Sequence, residues 1–160
     1  AELDRLPFAR TKHDEVEALW RSPEARVLGM VGTKHVMDGS APRVFAVSEL
    51  TADVRPVLLG RAEGAVWFYA DVPETGFPGE SLADLRRIGP TVGTPMANLL
   101  ALARALAWWH ERNGFCSVCG HETQVIDAGF RRRCPSCEAD HHPRGARAFR
   151  QACTPRWPDS

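Results

Sequence analysis

The sequence predicts an α+β protein: an N-terminal antiparallel sheet with a long helix, followed by a small cysteine-rich module. Three observations predict it. Short β-rich runs separated by turn signals fill the stretch from Arg26 to Val72. One helical pattern runs from Thr94 to about Asn113. Beyond Gly114 the composition shifts: residues 116–143 hold four Cys and three His but few aliphatic side chains, too few for an ordinary core.

Residues 1–12 lack periodicity and read as a lead-in. His13 to Arg21 is a short helix, with Val16, Leu19 and Trp20 at i, i+3, i+4 and Pro23 stopping it. Arg26 to Val31 and Arg43 to Val47 are strands, and Asp38-Gly39 turns the chain between them. Val57 to Gly60 and Ala65 to Val72 follow, joined at Glu63-Gly64. The four read as an antiparallel meander with one wet face. Pro73 to Gly79 is a loop. Ser81 caps a helical turn or two reaching Ile88, with Leu82 and Leu85 three apart, and Gly89-Pro90 ends it. Thr94 caps the long helix, with Pro95 at its first position and Gly114 as the stop. Its apolar face is Leu99, Leu102, Ala103, Leu106 and Trp109, widened by Leu100, Ala107 and Trp108, which makes it the expected most buried element. The domain division is 1–112, an α+β domain; 113–144, the cysteine module; and 145–160, an irregular tail.

A chain of 160 residues with 44% hydrophobic and 25% charged residues is globular rather than disordered. Lys plus Arg, 20, balances Asp plus Glu, 20, so a global basic field for nucleic acid is excluded, though a local patch is not. The most apolar stretch, Leu99 to Trp109, contains Arg104 and falls well short of the roughly 20 residues of a membrane span. No membrane partner is expected. The start, Ala-Glu-Leu-Asp-Arg-Leu-Pro, has neither the basic end nor the apolar core of a secretory signal. Five cysteines, four of them in two tight pairs, point to a metal site in a reducing cytoplasm rather than a disulfide framework.

The pairs are Cys116-Ser-Val-Cys119 and Cys134-Pro-Ser-Cys137, fourteen residues apart. A Cys-x-x-Cys knuckle places two thiolates for one tetrahedral ion and aims backbone N–H groups at the sulfurs. Gly120 suits the positive φ of such a turn. Between the pairs, Gln124 to Asp127 and Phe130 to Arg133 are short strands turning at Ala128-Gly129. Two knuckles joined by a hairpin make a zinc ribbon. Disulfides would need an oxidising compartment, a redox dithiol usually shows one pair, and a four-iron cluster suits this arrangement less well. Cys116, Cys119, Cys134 and Cys137 are the metal ligands, and four thiolates leave no open position, so the zinc is structural. Arg131, Arg132 and Arg133 either offset its charge or form a solvated strand face. His121, His141 and His142 read as surface residues, Cys153 as a free thiol, and His110 as a helix-end cation or hydrogen-bonding anchor. No catalytic or cofactor-binding residue is assigned.

The string Trp109-His110, Phe115-Cys116-x-x-Cys119-Gly120, Thr123, Gly129, Arg133-x-Cys134-x-x-Cys137, His142-Pro143-Arg144 resembles the bacterial NADH pyrophosphatases, zinc-containing Nudix hydrolases. Pro23-x-Ala25-Arg26, Leu59-Gly60, Leu85-Arg86 and the helix Ala97 to Trp108 resemble that family's N-terminal domain, so the likeness covers roughly residues 13–144. The resemblance implies hydrolysis of NAD(H) to NMN(H) and AMP, removal of NAD caps from RNA, a homodimer, and Mg²⁺ or Mn²⁺ at the carboxylates of a Nudix box. That box contains Arg-Glu and Glu-Glu dipeptides, and this sequence has neither. After Cys137 only Glu138, Asp140 and Asp159 are acidic, and the match breaks after Arg144. The sequence therefore reads as a truncated or frame-shifted form, the N-terminal and zinc-ribbon parts without the catalytic domain, inactive alone and acting in structure or dimerisation. The alternative is a zinc-ribbon module that binds nucleic acid or protein, with Arg131–Arg133, Arg144, Arg147 and Arg150 as its basic patch.

Overall fold

Helix α1 (His13–Arg21) opens an order that continues with β1 (Ala25–Val31), β2 (Lys34–Asp38), β3 (Ala41–Pro42), β4 (Val44–Phe45), β5 (Val57–Ala62), β6 (Ala65–Asp71), β7 (Leu82–Ala83), α2 (Leu85–Ile88), α3 (Thr94–Arg112), β8 (Gln124–Ile126), β9 (Arg131–Arg133) and β10 (Asp140–His141). The structure, a computed structural model, describes residues 3–6, 9–76 and 81–143. The expectations for Arg144, Arg147, Arg150, Cys153 and the tail lie outside the described residues.

The α+β class stands, with one correction inside the sheet. Strand β1 pairs in parallel with β6 over six residues, from Ala25 opposite Val66 to Met30 opposite Asp71. On its other edge it takes β4 at Val27 and Leu28, then β2 at Met30 and Val31, both antiparallel. The main order is β3-β2-β1-β6-β5, with β7 added to β2. A simple meander would leave one face wet. Here alternate residues of both central strands are apolar on both faces. Leu28, Met30, Trp67 and Tyr69 join one core cluster with α3; Ala25, Val27, Val66, Phe68 and Ala70 join another, against which α1 packs Val16, Leu19 and Trp20. The Trp20 and Phe68 rings meet edge-on at 5.0 Å. The sheet is thus the middle of three layers, and its central strands, not α3, are the most enclosed elements.

Other differences are local. Asp38-Gly39 does turn the chain, but after a strand, β2, whose three buried residues, His35, Val36 and Met37, are too few to show periodicity. The expected strand over Arg43 to Val47 shortens to Val44–Phe45. Ser81 is not the cap of α2: Leu82 pairs opposite Val36, and Asp84 precedes the single turn of α2, which the 3₁₀ turn Gly89–Thr91 extends. Gly93, not Thr94, stands at the start of α3.

The buried stripe of α3 is Leu99, Leu100, Ala103, Leu106, Ala107 and Trp109. Truncating a leucine such as Leu99 or Leu100 to alanine would cost about 2–5 kcal/mol. Leu102 is only partly buried, and Trp108 is 46% exposed with the Arg112 guanidinium over its ring at 4.2 Å. No helix among the described residues is long and apolar enough to cross a membrane.

Candidate metal centre

The end of α3 delivers the chain to the first knuckle, and the two knuckles fold alike. In the first, Cys116 N–H donates to His121 O at 2.7 Å and Gly120 N–H to Cys116 O at 2.9 Å. In the second, Cys134 N–H donates to Ala139 O and Glu138 N–H to Cys134 O, both at 2.9 Å. The residue after each second cysteine is left-handed: Gly120 at φ 82°, as anticipated, and Glu138 at φ 62° without a glycine. Between them β8 pairs antiparallel with β9, Gln124 opposite Arg133 and Ile126 opposite Arg131. The chain turns at Ala128-Gly129 as expected, both residues left-handed at φ 54° and 93° and Phe130 N–H donating to Asp127 O at 3.1 Å, and β10 adds a third strand that the sequence did not announce.

This folding brings Cys116, Cys119, Cys134 and Cys137 together, their sulfurs all within 4.8 Å of one another. Cys116 and Cys137 Sγ are 3.6 Å apart, Cys119 and Cys134 Sγ 3.4 Å. Sulfurs about 2.3 Å from a tetrahedral zinc would stand about 3.8 Å apart, so the set fits such an ion. Backbone N–H groups point at the sulfurs, Val118 to Cys116 at 3.3 Å and Cys137 to Cys134 at 3.5 Å. Hydrogen bonds from the Cys119 and Val118 backbone bring the Cys116 thiol down to about 6 against the cost of desolvation. At Cys137 the Ala139 backbone favours the thiolate, but desolvation and the sulfurs of Cys116, Cys119 and Cys134 outweigh it and push the thiol up to about 12. Four thiolates so close repel one another, and a divalent cation relieves that repulsion. Among the described residues this is the one group of three or more His, Cys, Asp or Glu able to converge on a metal ion.

The three histidines divide. His141 Nε2 lies 3.4 Å from Cys116 Sγ, and His121 Nδ1 3.7 Å from Cys119 Sγ. His142 is exposed. The basic triplet is neither a free patch nor wrapped on the sulfurs. Arg131 pairs with Asp127 at 2.9 Å and Asp140 at 3.3 Å, and Arg133 with Asp140 at 3.6 Å. Arg132 turns inward: Nε donates to Thr123 Oγ1 at 2.8 Å and Nη1 to His110 Nδ1 at 2.8 Å. Thr123 Oγ1 in turn donates towards Asn113 O at 2.6 Å, tying the ribbon to the end of α3.

His110 is an anchor, not a cation. Its Nε2 donates to Gly129 O at 2.8 Å, and burial, with the Arg132 charge adding, pushes its pKa down to about 4. Gly129 has φ 93°, and a Cβ there would stand 2.5 Å from Val57 Cγ1, so the ribbon turn lies directly on β5. Beside it the Arg10 guanidinium covers the Phe130 ring at 3.4 Å. His110 also edges an open cleft of about 310 Å³ with Gly32, Asp71 and Glu111, where burial and Glu111 raise the Asp71 carboxyl.

A four-sulfur ribbon docked on a three-layer α+β domain is the class of protein that fold and site define. Comparison with known families is consistent with it. The NADH pyrophosphatase-like rudimentary NUDIX domain matches residues 9–109, and the NADH pyrophosphatase zinc ribbon domain matches residues 111–141. The chain belongs to this NADH pyrophosphatase-like family. The first match names the N-terminal sheet a reduced Nudix relative, a kinship hidden from the sequence because no Nudix box marks it. The NAD-capped RNA hydrolases NudC of Mycobacterium bovis and Mycobacterium tuberculosis are each 28% identical over 150 residues, 88% of this chain and 47% of theirs. The mouse mitochondrial NAD(P)H pyrophosphatase NUDT13 is 37% identical over 68 residues, 42% of this chain and 19% of its own length. The chain thus spans about half the length of the NudC relatives it matches.

Proposed function

We propose that these residues form the non-catalytic part of an NADH pyrophosphatase, a rudimentary Nudix domain over 1–112 and a zinc ribbon over 113–144, with 145–160 as a tail. Cys116, Cys119, Cys134 and Cys137 hold a structural zinc. The observation that carries the reading is the convergence of their four sulfurs on a ribbon clamped to α3. NAD(H) and NAD-capped RNA are the substrates of the whole protein, in a cytoplasmic homodimer. Mg²⁺ or Mn²⁺ would act only with Nudix-box carboxylates, which the 160 residues do not contain. The chain by itself is inactive and serves structure or dimerisation.

Elemental analysis of the purified chain, run beside an NADH hydrolysis assay with Mg²⁺ and with Mn²⁺, tests this. One zinc per chain and no turnover are expected. Turnover by the pure 160-residue chain would overturn the inactive role. Against a nucleic-acid module stands the internal pairing of Arg131, Arg132 and Arg133. RNA binding with a steep salt dependence would reinstate it.

A further inference from the structure

We propose that His141 is a positioning residue of the zinc site: its Nε2–H donates a hydrogen bond to the Cys116 thiolate and sets how firmly the ion is held. The proposal rests on the reading of the four cysteines as zinc ligands. The Nε2 to Sγ distance is 3.4 Å, that of an N–H to sulfur hydrogen bond. A thiolate only accepts, so the ring nitrogen facing it carries the proton. The register explains how the ring arrives there. His141 stands opposite Arg132 on β10, beyond the second knuckle, yet its side chain reaches the first cysteine of the first knuckle. It thereby joins the two halves of the site across the ion.

Charge gives the contact its role. Zinc with four thiolates carries net −2. The nearby arginines are engaged elsewhere, Arg131 and Arg133 with Asp127 and Asp140, Arg132 with His110 and Thr123. Stabilising the sulfurs falls to backbone N–H groups and this imidazole. A thiolate relieved of part of its charge is also a poorer target for protons, whose capture by a ligand sulfur is what exposes the ion to a competing chelator. His121, exposed and 3.7 Å from Cys119 Sγ, makes the longer and weaker version of the contact.

The test uses the zinc-loaded 160-residue chain. Zinc is first counted per chain; wild-type protein without zinc defeats the zinc reading itself, separately from the role of His141. With zinc bound, His141→Ala should release it to excess chelator about tenfold faster than wild type, while His141→Gln, which keeps an N–H donor, should stay within about threefold of wild type. His121→Ala should fall between wild type and His141→Ala. In cobalt-substituted protein His141→Ala should move the sulfur-to-cobalt charge-transfer band to lower energy and leave the tetrahedral d–d bands in place. Wild-type release by His141→Ala, equal rates for the Ala and Gln variants, or d–d bands showing a lost ligand would each overturn the proposal. Should His141→Ala not fold, cadmium-substituted wild type decides: a through-bond correlation from cadmium to the His141 Nε2 proton supports the bond, and its absence overturns it.

Discussion

His110 Nε2 donates to Gly129 O at 2.8 Å, and by that bond the last turn of α3 holds the turn of the ribbon. The opposite ring nitrogen accepts from Arg132, so one neutral imidazole satisfies groups on both sides of the turn. His110→Ala leaves the Gly129 carbonyl and the Arg132 guanidinium without these partners. The expected cost is about 1–3 kcal/mol. Urea unfolding should show a lower midpoint with an unchanged slope, and the zinc content should stay at the wild-type value because no sulfur is touched. An unchanged midpoint would remove the clamp as a stabilising element.

Acid should weaken the fold through two histidines. His35 is 1% exposed with neither ring nitrogen hydrogen-bonded, and burial, with Arg104 adding, pushes its pKa down to about 4. His110 is pushed down to about 4 as well. The unfolded chain takes up these protons near pH 6.5, so it binds more protons than the fold between the two values. The contribution is complete above about pH 6.5 and is lost as pH falls towards about 4. Thermal melts across that window should show the decline, and His35→Leu, which removes one of the two groups outside the ribbon, should flatten it. A slope identical to wild type would exclude His35 as a source.

Two backbone positions should respond in opposite directions. Gly129→Ala puts a methyl 2.5 Å from Val57 Cγ1 at φ 93° and should destabilise by about 2 kcal/mol or more. Glu138 already bears the left-handed conformation that Gly120 adopts in the first knuckle, at φ 62°. Glu138→Gly should therefore stabilise the zinc-loaded protein by up to about 1 kcal/mol. Denaturation midpoints of the two variants, each with zinc content recorded, check the signs. A gain in Gly129→Ala would mean that the turn does not rest on β5.

What the sequence disclosed follows the range of the interactions involved. Helix α1, the turn at Glu63-Gly64, the long helix and the cysteine spacing are written in neighbours a few residues apart, and they were legible. The parallel pairing of Ala25–Met30 with Val66–Asp71 is set by packing on both faces of a sheet, so no local pattern carries it. Strand β2 and the two-residue β10 are too short for periodicity to register. In the sequence Arg132 stands with Arg131 and Arg133 beside the second knuckle, either offsetting the charge of the zinc site or lying on a solvated strand face. Its inward turn depends on Thr123 and His110, nine and twenty-two residues away. Only the alternation along the strands, which places Arg132 opposite in sense to Arg131 and Arg133, could have singled it out.

Zinc removal should separate the two parts. Strands β8 and β9 have three residues each, and the ribbon has no core apart from its sulfurs and the side chains it lends to the sheet domain. Loss of the metal should therefore unfold residues around the knuckles. The sheet keeps its own two clusters but loses Phe130 beneath Arg10, the Gly129 contact with Val57 and the bonds of His110. For a domain of this size each kcal/mol so lost lowers the Tm by about 4–8 °C. Hydrogen exchange before and after chelation is the measurement. Amides of β1, β5 and β6 should stay protected while those of β8 and β9 exchange freely. Loss of protection in all five strands at once would show that the ribbon is not an appendage to the sheet but a condition of its folding.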